Sequence, residues 1–125
     1  MGFWIFIFVC SMLMPVLMII FGQLFQKRPP GQINSVYGYR TKMSMLNMDT
    51  WDYAHRYFGT LWLRIGLLLL LLTGLSMILA FGKSDTVVGV IGGVIETIQV
   101  LMLFVPIALT EQELRRRFGA DGSRK

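Results

Sequence analysis

Three apolar stretches, Phe3 to Phe25, roughly Gly59 to Phe81, and Val87 to Leu109, occupy more than half of a chain of 125 residues. Crossing a hydrocarbon core of about 30 Å takes about 20 apolar residues in a helix, so each stretch is long enough to span. With 54% hydrophobic and 15% charged residues, the chain is too apolar for an ordinary soluble domain of this length. The expected fold is an all-α membrane protein of three transmembrane helices, forming a single domain over residues 1–125. Its parts are a first span at about 3–25, a loop and helix start at 26–58, a second span at about 59–81, a third at about 87–109 and a tail at 110–125.

The first stretch differs from a secretory signal. It lacks a basic leader, is longer than the apolar core of such a signal, and ends in Gln26-Lys27-Arg28-Pro29-Pro30 with no small-residue cleavage site. A retained helix is expected. The single Cys10 lies inside it, which rules out an intramolecular disulfide.

Basic residues set the expected orientation, because Lys and Arg accumulate in cytoplasmic loops. Lys27, Arg28, Arg40, Lys42 and Arg56 lie between the first two spans, and Arg115, Arg116, Arg117, Arg124 and Lys125 follow the third. The opposite side has only Lys83. The N-terminus is therefore expected outside and the C-terminus inside a bacterial cytoplasmic membrane. The net charge of +5 would then face anionic lipid, and nucleic acid is not an expected partner.

Pro29-Pro30-Gly31 ends the first helix. Residues 32–47 show no regular periodicity and carry Tyr37, Gly38, Tyr39 and Arg40, as an aromatic-anchored interfacial loop would. Asp49 is the expected N-cap of the next helix, with Asp52 three residues on as a capping-box variant. From Thr50 to Phe81 such a helix is about 48 Å long, so two to three turns protrude from the membrane. Trp51, Ala54, Phe58, Leu61 and Trp62 form one apolar stripe on it, with Asp52, His55 and Arg56 expected off that stripe. Gly82 to Asp85 reads as a tight turn joining antiparallel helices. Gly89, Gly92, Gly93 and Glu96 recur at offsets of three and four, with a small-xxx-small pair at Gly89 and Gly93, on a face expected to pack against protein, and Pro106 is a candidate kink. Glu111 to Phe118 reads as a short amphipathic continuation, followed by a frayed tail from Gly119.

Two groups of residues invite a functional reading. Within the membrane, Ser11, Thr73 and Glu96 fall at one depth, about 12 to 15 Å below the outer surface, with Thr97 and Gln99 adding further polar groups. Arg64, about 6 Å from the inner surface, is placed either to snorkel outward or to reach Glu96. A midplane carboxyl is costly and is expected to face the bundle interior. It is read either as a helix lock or as a proton or cation relay. At the inner surface, Arg40, Thr41, Trp51, His55 and Arg56 are the candidate recognition residues for an anionic headgroup, a peptide carboxylate or a phosphate. For Trp51 the plainer role is an interface anchor, and for Arg40 it is a surface residue or a tie to Asp49 or Asp52.

Asp49, Asp52 and His55 make a poor metal site. Offsets of three turn by about 300 degrees on a helix, so the first and last diverge by about 120 degrees. No His/Glu pair at i, i+4 or Cys cluster is present, so no metal is expected, and no cofactor either. Nucleophile elbow, phosphate loop and paired-carboxylate signatures are likewise missing from the sequence, which reads as non-enzymatic.

The block Tyr37-Gly38-Tyr39-Arg40-Thr41, with Ser44-Met45, Asn47, Thr50-Trp51, Ala54-His55 and Gly59, resembles the signature of the SdpI family of bacterial membrane proteins. Thr110-Glu111, Leu114, Phe118 and Gly122 resemble that family's usual ending. The resemblance implies a non-enzymatic membrane protein. It would confer immunity to a secreted killing peptide, as the defining member does, or pass a membrane signal to a cytoplasmic regulator. Alternatives from other classes are a small transporter or lipid-binding protein using Ser11, Arg64, Thr73, Glu96 and Gln99, and, more weakly, a lipid-headgroup enzyme. Expected partners are membrane lipid, a toxin peptide or cytoplasmic regulator, and a second copy of the chain. The charge asymmetry generates a topology prediction: a reporter fused after Lys125 reads cytoplasmic and a tag at Lys83 is accessible from outside. The opposite accessibility would invert the placement of the signature.

Overall fold

A computed structural model describes residues 2–125. It consists of three helices: α1 (Gly2–Lys27), α2 (Met48–Ala80) and α3 (Asp85–Arg117). All three are long and apolar enough to cross a membrane. At 33 residues each, α2 and α3 are about 50 Å long, well beyond a hydrocarbon core of about 30 Å. Their surplus turns lie together at the end where α1 meets the 28–47 loop.

Local chemistry sets the boundaries. The N-cap of α2 is Asn47, not Asp49 as expected. Its side-chain oxygen accepts from Thr50 N at 2.9 Å, and Thr50 Oγ1 accepts in return from Asn47 N at 3.1 Å. Thr50 thus does the reciprocal work that Glu or Gln usually does at the third helical position. Asp52 is left to pair with Arg56 at 3.0 Å. Ser84 caps α3 through Val87 N. Pro106 lies within an unbroken α3, and residues 111–117 continue that helix as expected.

α1 and α2 run antiparallel and approach most closely where two glycines meet. A Cβ on Gly59 would lie 2.6 Å from both Gln26 N and Gly22 O, and one on Gly22 would lie 2.6 Å from Leu63 N. These are backbone atoms, which cannot swing aside. Higher up, Trp4 Nε1 donates to Met77 O at 2.9 Å. On α3 the expected small-residue face meets α1 at Gly89, where a Cβ would lie 3.6 Å from the Phe3 ring, and at Gly92, but not at Gly93. Gly92 packs against Ile7, while nothing lies within 4 Å of a Cβ built on Gly93. Large apolar side chains such as Leu71, Leu79 and Phe104 stay exposed around the waist, as a lipid-facing belt requires.

One buried cluster, Met77, Ala80, Val88 and Ile95, closes the bundle near the α2–α3 turn. The other, Phe25, Tyr39, Ala54, Phe58, Leu114 and Phe118, lies beneath the loop. The tail is folded, contrary to the frayed end expected. Gly119 N donates to Ser123 O at 2.7 Å, and Asn47 Nδ2 donates to Gly122 O at 2.8 Å, tying the tail to the cap of α2. The glycine contacts predict that Gly59→Ala lowers detergent-solubilised stability by about 2 to 3 kcal/mol. Gly93→Ala is neutral or stabilising by up to about 1 kcal/mol. Thermal unfolding of the two variants side by side checks both.

Candidate functional site

The loop end is built on one ring. His55, on the second turn of α2, is wholly buried and accepts at Nε2 from the backbone N–H of Tyr39 at 2.8 Å. Its Nδ1 lies 2.8 Å from Trp51 O, so the network assigns the neutral tautomer with the proton on Nδ1. Rings close round it: Trp51 at 4.3 Å between centroids and Phe25 edge-on at 5.1 Å. Gly38 adjoins this contact with φ +113, and a Cβ there would lie 2.5 Å from His55 Nε2, so both conformation and space demand glycine.

From this ring the loop is stapled residue by residue. Trp51 Nε1 donates to Pro30 O at 2.9 Å. Ser44 Oγ donates to Tyr39 O at 2.9 Å and accepts from Thr41 N at 2.8 Å, while Thr50 Oγ1 donates to Ser44 O at 3.1 Å. Tyr39 OH donates to Glu111 Oε1 on α3 at 2.7 Å. Burial, and then the adjoining Glu111 carboxylate, push that phenol above its ordinary pKa and keep it a neutral donor.

The five expected recognition residues therefore separate. Trp51 and His55 are not at the surface. Trp51 is fully buried rather than an interface anchor, and His55 lies on the packed side of α2, because a residue four after Trp51 shares its face. Arg56 is exposed but engaged, bonding Asp52 and donating to Gln26 O at the end of α1 at 3.1 Å. Arg40 is exposed, and its one hydrogen bond is to Ser35 O within the loop rather than to Asp49 or Asp52. With half-buried Thr41 it rims an open groove of about 510 Å³ whose walls include Phe21, Tyr37, Phe58 and Trp62. These aromatic walls went unassigned in the sequence, where Phe58 and Trp62 counted only as an apolar stripe. A second hollow of about 440 Å³ lies beside the tail, rimmed by Lys42, Glu111, Arg115 and Lys125.

In the membrane, the hub is Gln99 and not Glu96. Gln99 is wholly buried, and its Nε2 donates to Thr73 Oγ1 at 3.0 Å and to Ser11 O at 2.9 Å, joining all three helices. Ser11 O is available because residue 15, four positions on, is a proline without an N–H. Glu96 is half-buried, with Oε1 shielded and unpartnered. Thr97 turns outward onto Gly93 O. Arg64 is exposed and makes no ion pair with Glu96 among the described residues. Ser11 thus joins the node through its carbonyl, and Arg64 stands apart from it.

Residues 32–110 match the SdpI/YfhL protein family, well over half of the chain. The chain belongs to the SdpI/YfhL family. It is 49% identical over 53 residues to a protein of Bacillus subtilis strain 168, "Uncharacterized protein YfhL", and the alignment covers 42% of this chain and 48% of that one. The chain thus matches about half the length of that curated relative. No solved structure matches it. In this SdpI/YfhL member, Gly38, Ser44, Asn47, Thr50, Trp51 and His55 all serve to fasten loop to helix. Replacing His55 with Phe keeps the stacking but leaves the Tyr39 N–H without an acceptor, which costs about 1 to 3 kcal/mol. Hydrogen exchange should then quicken at Tyr39 and its loop neighbours while the membrane-embedded part of α2 stays protected.

Proposed function

We propose that this multi-pass membrane protein acts by binding rather than by covalent chemistry, and that it protects its cell against a membrane-active peptide. In this reading the N-terminus is outside, the signature loop faces the cytoplasm, and Arg40 and Thr41 present the recognition surface. One observation carries it. The side chains best suited to catalysis, His55, Ser44, Tyr39 and Thr50, are buried and already committed to internal hydrogen bonds. General acid-base work needs a group within reach of a substrate proton, whereas Arg40, over the aromatic groove, is exposed and unpaired with any acid.

The immunity role extends what the family's defining member does to this chain, and the buried staples support it by making the loop a firm platform for a binding group. Relay to a cytoplasmic regulator would use the same rim. Expression in a bacterium sensitive to a secreted killing peptide tests the reading. The wild-type chain should raise survival and preserve membrane potential. Arg40→Ala should lose at least about tenfold of that protection, the worth of one charged hydrogen bond, at unchanged abundance and insertion. Full protection by Arg40→Ala would remove the rim from the mechanism, and loss of the protein would make Arg40 a structural residue.

A further inference from the structure

The groove beneath the loop carries a hydrogen-bond donor at its rim and aromatic and aliphatic walls below it. Tyr39 lies tilted against Phe58 at 4.6 Å and Phe58 against Trp62 at 4.8 Å between ring centroids, so a run of aromatic rings descends from the loop into the span. Arg40 stands at its upper rim with most of its N–H groups unused. Trp62 lines its lower part, and its indole Nε1 is shielded from solvent without an acceptor. Thr41 Oγ1 already accepts from Ser44 N at 3.2 Å, leaving its hydroxyl to donate. The groove therefore suits a ligand that brings an anionic acceptor at the rim and apolar substance below it.

We propose that the groove binds one anionic glycerophospholipid, with its phosphate at Arg40 and an acyl chain along Phe21, Trp62 and Ile107. Charge complementarity selects the headgroup, because a guanidinium pairs well with phosphate oxygens. Depth selects the acyl chain, since the apolar wall continues from Phe58 to Trp62, one helical turn or about 6 Å further into the span. Phe21, Trp62 and Ile107 belong to the spans, so the groove opens where lipid is already present. The inference shares Arg40 with the recognition surface but does not rest on peptide immunity. Lipid can bind in a cell with no killing peptide, and immunity can operate with the groove empty.

Native mass spectrometry of the full chain in detergent, titrated with phosphatidylglycerol and with phosphatidylcholine of identical acyl chains, tests it. The expected result is one retained phosphatidylglycerol at about tenfold tighter binding than phosphatidylcholine. Arg40→Gln should lower phosphatidylglycerol retention by about tenfold and bring the two lipids level. Trp62→Ala, which removes the aromatic wall, should weaken both lipids several-fold. Arg56→Gln should weaken neither. Inorganic phosphate in excess should fail to displace the lipid, because the acyl chain contributes. Equal retention of the two lipids by the wild type, or loss on Arg115→Gln instead of Arg40→Gln, would overturn the proposal, the latter by moving the site to the basic end of α3. Displacement by phosphate alone would reduce the site to a headgroup anion site, and a co-purifying peptide in place of lipid would replace the occupant.

Discussion

The loop end of this molecule depends on His55 remaining a neutral ring that gives a proton on one side and takes one on the other. Its Nδ1 is satisfied within its own helix by Trp51 O, which aims Nε2 at the backbone of a residue sixteen positions earlier. The consequences spread outward from that bond. Tyr39 is held in place, so its ring reaches Phe58 and its hydroxyl reaches Glu111 on α3, and its carbonyl receives Ser44, which orders the turn at Thr41. A charged imidazole would set one N–H against another at the point where loop and helix join. The SdpI/YfhL signature is intelligible in these terms, because most of its polar members are fasteners and few are left over for anything else.

How much of this was legible follows from what each residue type advertises. The three spans were plain, since length and apolarity decide a membrane helix almost alone. Asp49 outshone Asn47 as a cap because Asp and Asn are nearly equal there, and the deciding partner, Thr50, is less familiar in that role than Glu. His55 was placed off the apolar stripe for being polar, although its spacing from Trp51 and Gly59 put it on the packed face. A ring that both donates and accepts can be buried at little cost once both nitrogens are satisfied. Glu96 drew attention as the midplane charge. The bundle instead needed a donor at that depth, which an ionised carboxylate cannot be and an amide can. The signal lay in Pro15, whose missing N–H strands the carbonyl at Ser11. The folded tail and the groove were out of reach because both arise from contacts between segments far apart in the chain.

The two ends of the bundle are held by different physics. Near the α2–α3 turn, cohesion is packing of Met77, Ala80, Val88 and Ile95, with Trp4 stacked on Phe8 at 5.2 Å. Beneath the loop it is a directional hydrogen-bond network in which each member fixes the next. Packing tolerates exchange of one apolar side chain for another of similar volume, whereas a network loses more than one link when one partner goes. The second kind also fixes position, because a loop side chain such as Arg40 is placed only as well as the loop that carries it.

The proline in α1 bears on how the protein is made. A helix entering the bilayer alone would carry the Ser11 carbonyl bare at mid-depth, where water is scarce. Its donor is on α3, 88 positions later in the chain, so that group goes without this partner until the last helix has arrived. α1 is consequently a poor lone tenant of the membrane. During synthesis it would benefit from lingering beside the insertion machinery or from drawing a water inward, and quality-control proteases that recognise exposed polar groups within the bilayer have a natural handle on any copy in which α3 fails to dock.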